Sequence, residues 1–594
     1  MPTYKAPVRE MQFILHELLS VQNYSNLPGF SDASEDLIDQ VLDGGAKFAE
    51  DILFPLNKVG DREGCTRNDD ASVTTPTGFK DAYSALVEAE WLSLSADPKY
   101  GGQGLPAVLN LALNEMQSSA NMAFSMYPGL THGAYQALLA GGSEEQKETY
   151  VTRMINGGWS GTMNLTEPQC GTDLGLIKTK AVPQDDGSYK ITGQKIWISG
   201  GEQDLSENII HLVLARIEGA PEGIKGISLF VVPKYMVKND GSLGERNALE
   251  CGGLEEKMGI HGNATCVMNY DGATGWLVGE EHKGMRTMFV MMNEARLGVG
   301  LQGLAQAEIA YQNAADFARD RLQSRALSGP AAPEKPADPI IVHPDVRRML
   351  MDSRAFIEGA RAFLFWTALQ GDLQHKSPDE KVKEKAQDYM ALMTPVLKGF
   401  LTDIGFKTTS ECLQLHGGIG YTEEMGVEQY MRDARIAMIY EGTNGIQALD
   451  LVGRKLAANG GRAIFTFFGE MDDFLGEHSD DEDMKPYLDA LKTARDQLQD
   501  ATTWLMQNGL SNFNNAAAAS TDFMHLFGYT AIAYMWAKMA KHALEKKDSG
   551  DPYYANKLKT ATYFIERVLP KAGAHLAALK TGADSMMALD AEAF

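Results

Sequence analysis

Cysteine is scarce in this chain and never paired in spacing. Cys65, Cys170, Cys251, Cys266 and Cys412 are scattered over 594 residues with no C-x-x-C motif. An odd, dispersed set argues against a disulfide framework of the secreted type and suits a reducing compartment. Clustered histidines are missing as well: the twelve histidines include no H-E-x-x-H and no close His/Cys group, so no metal site is legible, and His416 in QLHGG reads as a packing residue. Positive charge is the third deficit. The 54 Lys and Arg face 79 Asp and Glu, a formal charge of -25, which argues against nucleic acid or an anionic membrane as the main partner while leaving room for a local basic pocket. Long apolar runs are absent too. Stretches such as ISLFVV at 227–232 fall far short of the roughly 18 residues that span a bilayer. The start, MPTYKAPVREMQFILHELLSV, places Lys5, Arg9 and Glu10 ahead of any apolar run, so it lacks a signal-peptide core. The expectation is a cytoplasmic protein with no membrane span.

What is present is periodicity, and it changes twice. Residues 1–160 are helical in pattern, with Leu37, Val41 and Phe48 on one stripe and Leu109, Leu111 and Met116 on another over 107–123. Over 161–284 the chain alternates polar and apolar residues in short runs, YKITGQKIWISGG, NIIHLVLARI, GISLFVVPKYM and TCVMNYDGATGWLVG, broken by turns such as DDGS at 185–188. This predicts a β domain. The helical period returns in 285–456, first in a long helix over 285–326 carrying Leu297, Leu301, Leu304, Ala305 and Ile309, then beyond a proline-rich loop at 329–339. ANGGRA at 458–463 marks a boundary before an extra helical region, 457–594. Helices are expected there over 483–508, with Gly509 as a C-cap, and over 522–546. The 29 methionines read as core filler at helical spacing. The fold class is α+β, mainly α.

One motif competes with that order. Gly298, Gly300 and Gly303 fit the dinucleotide spacing G-x-G-x-x-G, and Asp316 and Asp320 lie where a ribose-binding acid would be sought. The fingerprint needs a buried strand before it, whereas the preceding MFVMMNEARL carries Asn293, Glu294 and Arg296. A helix is the better reading. Each glycine then costs roughly 1 kcal/mol against Ala in a helix interior, so a neighbouring helix or a ligand is expected to approach the backbone closely.

Four segments settle the function expected. LTEPQCGTDLGLIKTKA at 165–181, QKIWISGGE at 194–202, QLHGGIGY at 414–421 and MRDARIAMIYEGTNGIQ at 431–447 together resemble the acyl-CoA dehydrogenase family, in the family's order and on its element types. The resemblance implies an N-terminal helical domain, a middle β domain, a C-terminal helical bundle and, past about 456, the extra helical region of the longer members. MPTYKAPVRE, MMNEARLGVGLQGL and the chain length are similar to the long bacterial subgroup. Its implied substrate is 3-(methylthio)propanoyl-CoA, oxidised to 3-(methylthio)acryloyl-CoA in dimethylsulfoniopropionate degradation, with short- to long-chain fatty acyl-CoA as the alternative. A non-catalytic CoA-binding scaffold and an oxidase using oxygen are the other readings.

The family's chemistry implies FAD as cofactor, with electron-transfer flavoprotein as partner and a homodimer or dimer of dimers as the assembly. Glu441 matches the α-proton base. A free Glu has a pKa near 4.3 and is a weak base, so an apolar surround, supplied by Tyr440 and the flavin, would have to raise it. Without the resemblance Glu441 reads as a capping or exposed carboxylate. Glu294 is one residue out of register for the base that some members carry on this helix, where Ala295 stands here. For the flavin, the resemblance assigns Met163, Leu165, Thr166, Gly171, Thr172, Trp197 and Ser199, and then Arg321, Gln414, Gly417, Gly418, Thr443, Asn444 and Gly445. Trp197 has a second reading as a barrel-core Trp. Thr172, Asn293, Arg296, Tyr440 and Gly442 match acyl-CoA contacts, and Arg296 alternatively serves a structural ion pair. Two departures bear on the adenosine half of FAD: Ser324-Arg325 stands where the family has an aromatic-Gly pair, and Gly445 where Gln is common.

Overall fold

The computed structural model describes residues 2–509 and 511–594, leaving Met1 and Leu510 outside, and it divides into two units. One is Asp43–Gly298; the other joins Met1–Leu42 to Val299–Phe594. Among the described residues no helix is long and apolar enough to cross a membrane.

In the unit Asp43–Gly298, helices α1 (Ala107–Ala120) and α2 (Met122–Gly141) replace the single stripe expected over 107–123. Asn121 separates them, because its side chain accepts from the Phe124 N–H at 3.0 Å and so caps the second helix in place of continuing the first. Seven strands of one sheet follow: β1 (Trp159–Asn164), β2 (Lys180–Pro183), β3 (Tyr189–Ser199), β4 (Asn208–Ile217), β5 (Ile227–Pro233), β6 (Leu249–Leu254) and β7 (Thr265–Val278). The order β6-β7-β3-β2-β4-β1 closes on itself because β5 pairs with both β4 and β7. β4 and β5 do not alternate as expected; nearly every residue in them is buried. Both of their faces are covered, by Ile210, Leu212 and Leu229 packed toward the α2 side chains Ala134 and Leu138, and by Val213, Phe230 and Val232 packed into the barrel. Strands covered on both faces read as continuous apolar runs.

Helix α3 (Gly284–Asp320) carries the G-x-G-x-x-G stretch without interruption, which rules out a dinucleotide loop there. The helix stops at Asp320, short of the 326 expected. The residues beyond fold around the buried Asp338 carboxylate, which accepts from the Ala326, Ala331 and Ala332 N–H groups and from Arg325. Within the second unit follow α4 (Pro344–Lys376), α5 (Glu380–His416), α6 (Glu428–Arg435), α7 (Asn444–Asp450), α8 (Arg462–Glu477), α9 (Lys485–Asn508), α10 (Phe513–Glu545), α11 (Pro552–Tyr563) and α12 (Lys571–Leu579). α10 begins at Phe513, well before the expected 522, with the Asn512 side chain capping it through the Asn514 N–H at 3.0 Å. Gly509 follows α9 with φ -73°, so it is not a left-handed cap; a Cβ there would meet the Leu505 carbonyl at 2.7 Å.

Glycines set how closely these helices pack. A Cβ on Gly303 would lie 2.6 Å from the Leu401 carbonyl oxygen, and one on Gly300 3.1 Å from that of Leu397, so α3 and α5 meet backbone to backbone. Gly399 and Gly528 likewise admit Met524 and Phe400 where α5 meets α10. The N-terminal helix Val8–Gln12 joins this unit through Lys557 of α11, a fully buried ammonium held by Glu10 and by Glu358 of α4.

Candidate active site

Within Asp43–Gly298, the residues matched to the flavin converge on one turn and one strand irregularity. After β1, mutual hydrogen bonds between Glu167 and Cys170 (N–H to O 2.9 and 3.0 Å) close a turn with Pro168 second, a position its fixed φ favours. Leu165 is buried, Thr166 half-buried, and Gly171 and Thr172 are exposed just past this turn. Opposite, β3 pairs Ile198 with Cys266 but Lys195 with Met268, leaving Ile196 and Trp197 to face Val267 alone. This is a bulge, a device that re-aims a side chain. Trp197 takes φ +59° and stands 60% exposed, so it is not a barrel-core residue. The Ile196 N–H donates to the Thr166 carbonyl at 3.0 Å, which ties the bulge to the turn.

A buried ion pair holds both. Lys195, with no exposed surface, donates to the Leu165 carbonyl at 2.9 Å and to Glu167 Oε1 at 2.8 Å. Glu167 also accepts from the Lys178 N–H (2.6 Å), the Thr179 N–H (3.0 Å) and the Thr179 hydroxyl (2.7 Å). Burial alone would raise this carboxyl, but Lys195 and the hydrogen bonds outweigh it and bring its pKa down to about 2. Met163 is half-buried on β1, and Ser199 ends β3. Asn293 and Arg296 lie in the third and fourth turns of α3; Asn293 is exposed, while Arg296 is buried with its guanidinium 5.9 Å from the Phe289 ring centre.

The second unit contains the Glu441 turn. Glu441 has φ +58° and Gly442 φ +85°, two left-handed residues in succession. For a residue with a Cβ this costs roughly 1–2 kcal/mol, so it persists where neighbours enforce it. Gln447 donates to the Glu441 and Gly442 carbonyls at 3.2 and 3.3 Å, and Thr443 caps α7 through the Ile446 N–H. The Asn444 amide turns onto α5, accepting from Lys398 Nζ at 2.8 Å and donating to the Gly399 carbonyl, Thr402 and Asp403. Thr443 and Gly445 are exposed, and Glu441 is half-buried. The Tyr440 hydroxyl donates to Gln302, and burial together with the Glu441 charge pushes its pKa up.

Arg321 is exposed immediately past α3, and Gln414, Gly417 and Gly418 are exposed at the end of α5. The two ends adjoin, since Phe317 and His416 rings lie 4.7 Å apart; His416 is thus the packing residue expected. An added Cβ on Gly417, Gly418 or Gly445 meets nothing within 4 Å, so the backbone there is open to a ligand.

Two observations fit a flavin: a flat indole held out of its strand by a bulge, and backbone left open at glycines. Glu167, Lys195, Gln447 and Asp403 escaped the sequence reading. Lys195 had a signal, because it shares the inward positions of Tyr189 and Ile191, where a lysine must be paired.

Comparison with known proteins agrees with this layout. Residues 61–158, 162–273 and 282–456 match the acyl-CoA dehydrogenase N-terminal, middle and C-terminal domains, and 467–590 match the domain described as acetyl-CoA dehydrogenase C-terminal like. The chain is 43% identical to 3-methylmercaptopropionyl-CoA dehydrogenase of Ruegeria pomeroyi, across 98% of this chain and 99% of that one. It is 35% identical to the broad-specificity linear acyl-CoA dehydrogenase of Mycobacterium tuberculosis, across the whole of both. ACDH-11 of Caenorhabditis elegans, solved in complex with C11-CoA, superimposes with TM-score 0.79 at 20% identity, over 96% of this chain and 92% of that one. The chain therefore belongs to the acyl-CoA dehydrogenase family, FAD-dependent oxidoreductases that act on a CH–CH bond of an acyl-CoA.

Proposed function

We propose that this enzyme oxidises 3-(methylthio)propanoyl-CoA, the same thioester as 3-methylmercaptopropionyl-CoA, to 3-(methylthio)acryloyl-CoA. The observation that carries the substrate is the 43% identity across nearly the full length of both chains, against 35% for the broad-specificity relative. Glu441 takes the α proton. Its left-handed turn, braced by Gln447 and Asn444, fixes the backbone that carries the carboxylate, and a positioned base contributes on the order of 10²–10⁴ in rate. Bound FAD supplies the acceptor for the β hydride.

The chain's own residues bind and orient. Thr166 and Ser199 offer hydroxyls to the flavin ring, and Trp197 offers its exposed face. Met163, Leu165, Gly171 and Thr172 flank the ring, and Arg321, Gln414, Gly417, Gly418, Thr443, Asn444 and Gly445 serve the rest of FAD. Thr172, Asn293, Arg296, Tyr440 and Gly442 serve the acyl-CoA. The same reading assigns the chain to divisions 1–160, 161–284, 285–456 and 457–594, to a cytoplasmic homodimer or dimer of dimers, and to electron-transfer flavoprotein as electron acceptor. A second reading, a fatty acyl-CoA dehydrogenase, is favoured by a 33% identical full-length butyryl-CoA dehydrogenase of Syntrophomonas wolfei.

Anaerobic mixing with 3-(methylthio)propanoyl-, butyryl- and palmitoyl-CoA distinguishes them. The first thioester is expected to bleach the flavin band fastest. Faster bleaching by either of the others would transfer the assignment to the fatty acyl reading.

A further inference from the structure

The turn that carries Glu441 is reached from the extra helical region by an unbroken line of hydrogen bonds. Asp403 on α5 is its middle link. One oxygen, Oδ1, accepts from Asn444 Nδ2 at 2.7 Å; the other, Oδ2, lies 2.9 Å from His525 Nε2 on α10. An ionised carboxylate only accepts, so Nε2 carries the proton. The His525 ring is itself fixed, edge-on to Phe400 with centroids 5.5 Å apart and against His575 of α12 at 5.1 Å, while His575 Nδ1 meets Asp522 at 2.8 Å. α10 can come this close because Gly399, the carbonyl of which takes a second Asn444 N–H at 3.1 Å, has no side chain in the path of Met524.

We infer that the C-terminal helical region positions the catalytic base: His525 orients Asp403, Asp403 clamps Asn444, and Asn444 holds the left-handed Glu441–Gly442 turn against α5. His525 and Asp403 are positioning residues; neither touches a reacting atom. The physical need is the strained turn. Glu441 at φ +58°, next to Gly442 at φ +85°, holds that shape only while its neighbours enforce it. Asp403 keeps a fifth of its side-chain surface exposed, so without the His525 N–H it is free to rotate toward water and release Asn444. The inference rests on the reading of Glu441 as base, and it gives residues 457–594 a task in the reaction.

The test compares three full-length variants with the parent enzyme. His525→Phe keeps a ring against Phe400 but removes the donor; His525→Gln restores a donor at similar reach without the ring; Asp403→Asn keeps the shape and removes the charge. Hydrogen exchange is followed at the amides of 441–446 without substrate. Turnover per bound flavin is followed with whichever of the three thioesters above reduces the parent enzyme. His525→Phe and Asp403→Asn are expected to speed exchange at these amides at least ten-fold and to lower kcat at least five-fold with KM within two-fold. His525→Gln is expected to stay within two-fold of the parent on both readouts. Parent-like exchange and kcat in His525→Phe would overturn the inference, as would equal damage in His525→Phe and His525→Gln, which would make the ring's packing the cause. If His525→Phe does not fold, parent-like Asp403→Asn overturns it alone. Failure of the base reading shows separately, as normal turnover by Glu441→Gln, while the exchange readout stands apart from activity.

Discussion

The bulge at Trp197 and the turn at Glu441 pose the same problem and solve it with different chemistry. Each holds a residue other than glycine at φ near +60°, and each belongs to the machinery proposed for the reaction. The Trp197 bulge is held by a buried charge pair, Lys195 with Glu167, that also grips the Leu165 carbonyl. The Glu441 turn is braced by side-chain amides, Gln447 and Asn444, and Asn444 in turn meets Lys398 and Asp403. The Gln447 and Asn444 amides fix the backbone of the turn through neutral dipoles. The same left-handed backbone is thus supported by a buried charge pair at Trp197 and by side-chain amides at Glu441.

The sharpest way to break this contrast is Lys195→Met, which leaves the Glu167 carboxylate buried without its cation. Breaking such a pair costs about 3–5 kcal/mol, so a large fall in Tm and in retained FAD is expected in calorimetry and flavin absorbance. An unchanged Tm would show that the backbone and hydroxyl donors to Glu167 suffice. On the base side, Gly303→Ala is expected to destabilise by about 1–3 kcal/mol, because its Cβ would press on the Leu401 carbonyl at 2.6 Å. Gly298→Ala, with nothing within 4 Å, is expected to stabilise instead, by up to about 1 kcal/mol of helix propensity. Equal signs in urea unfolding would contradict the close α3–α5 contact. The remaining effect is that of pH. Glu167 titrates near 2 in the fold and near 4.3 unfolded, so its contribution is complete above about 4.3 and lost as pH falls through about 2. Stability should decline with acid in that window, and Glu167→Gln should flatten the slope; an unaltered slope would assign the acid sensitivity elsewhere.

Much of the layout was legible. Helix, strand and helix periods follow burial, and burial is written in the order of apolar residues; four signature segments carried the family. What escaped was pairing across distance. β4 and β5 read as alternating when both faces are covered, and the end of α3 at Asp320 depends on Asp338, eighteen positions on. At the site, Trp197 and Glu441 were chosen by resemblance, but their left-handed backbones are set by partners that no periodicity ties to them: Lys195 with Glu167, and Gln447 and Asn444 with Asp403. Gly300 and Gly303 show the reverse case. Their cost in a helix correctly implied a close neighbour, and the neighbour is the backbone of α5, not a dinucleotide.

The most direct measurement is anaerobic flavin reduction in Glu441→Gln beside the parent enzyme, each loaded with FAD and mixed with 3-(methylthio)propanoyl-CoA. The substitution keeps size and hydrogen-bonding reach while removing the base, so FAD content should be unchanged and the bleaching rate should fall by a factor on the order of 10²–10⁴. Bleaching at the parent rate in a variant that binds FAD normally would mean that Glu441 is not the group that takes the α proton.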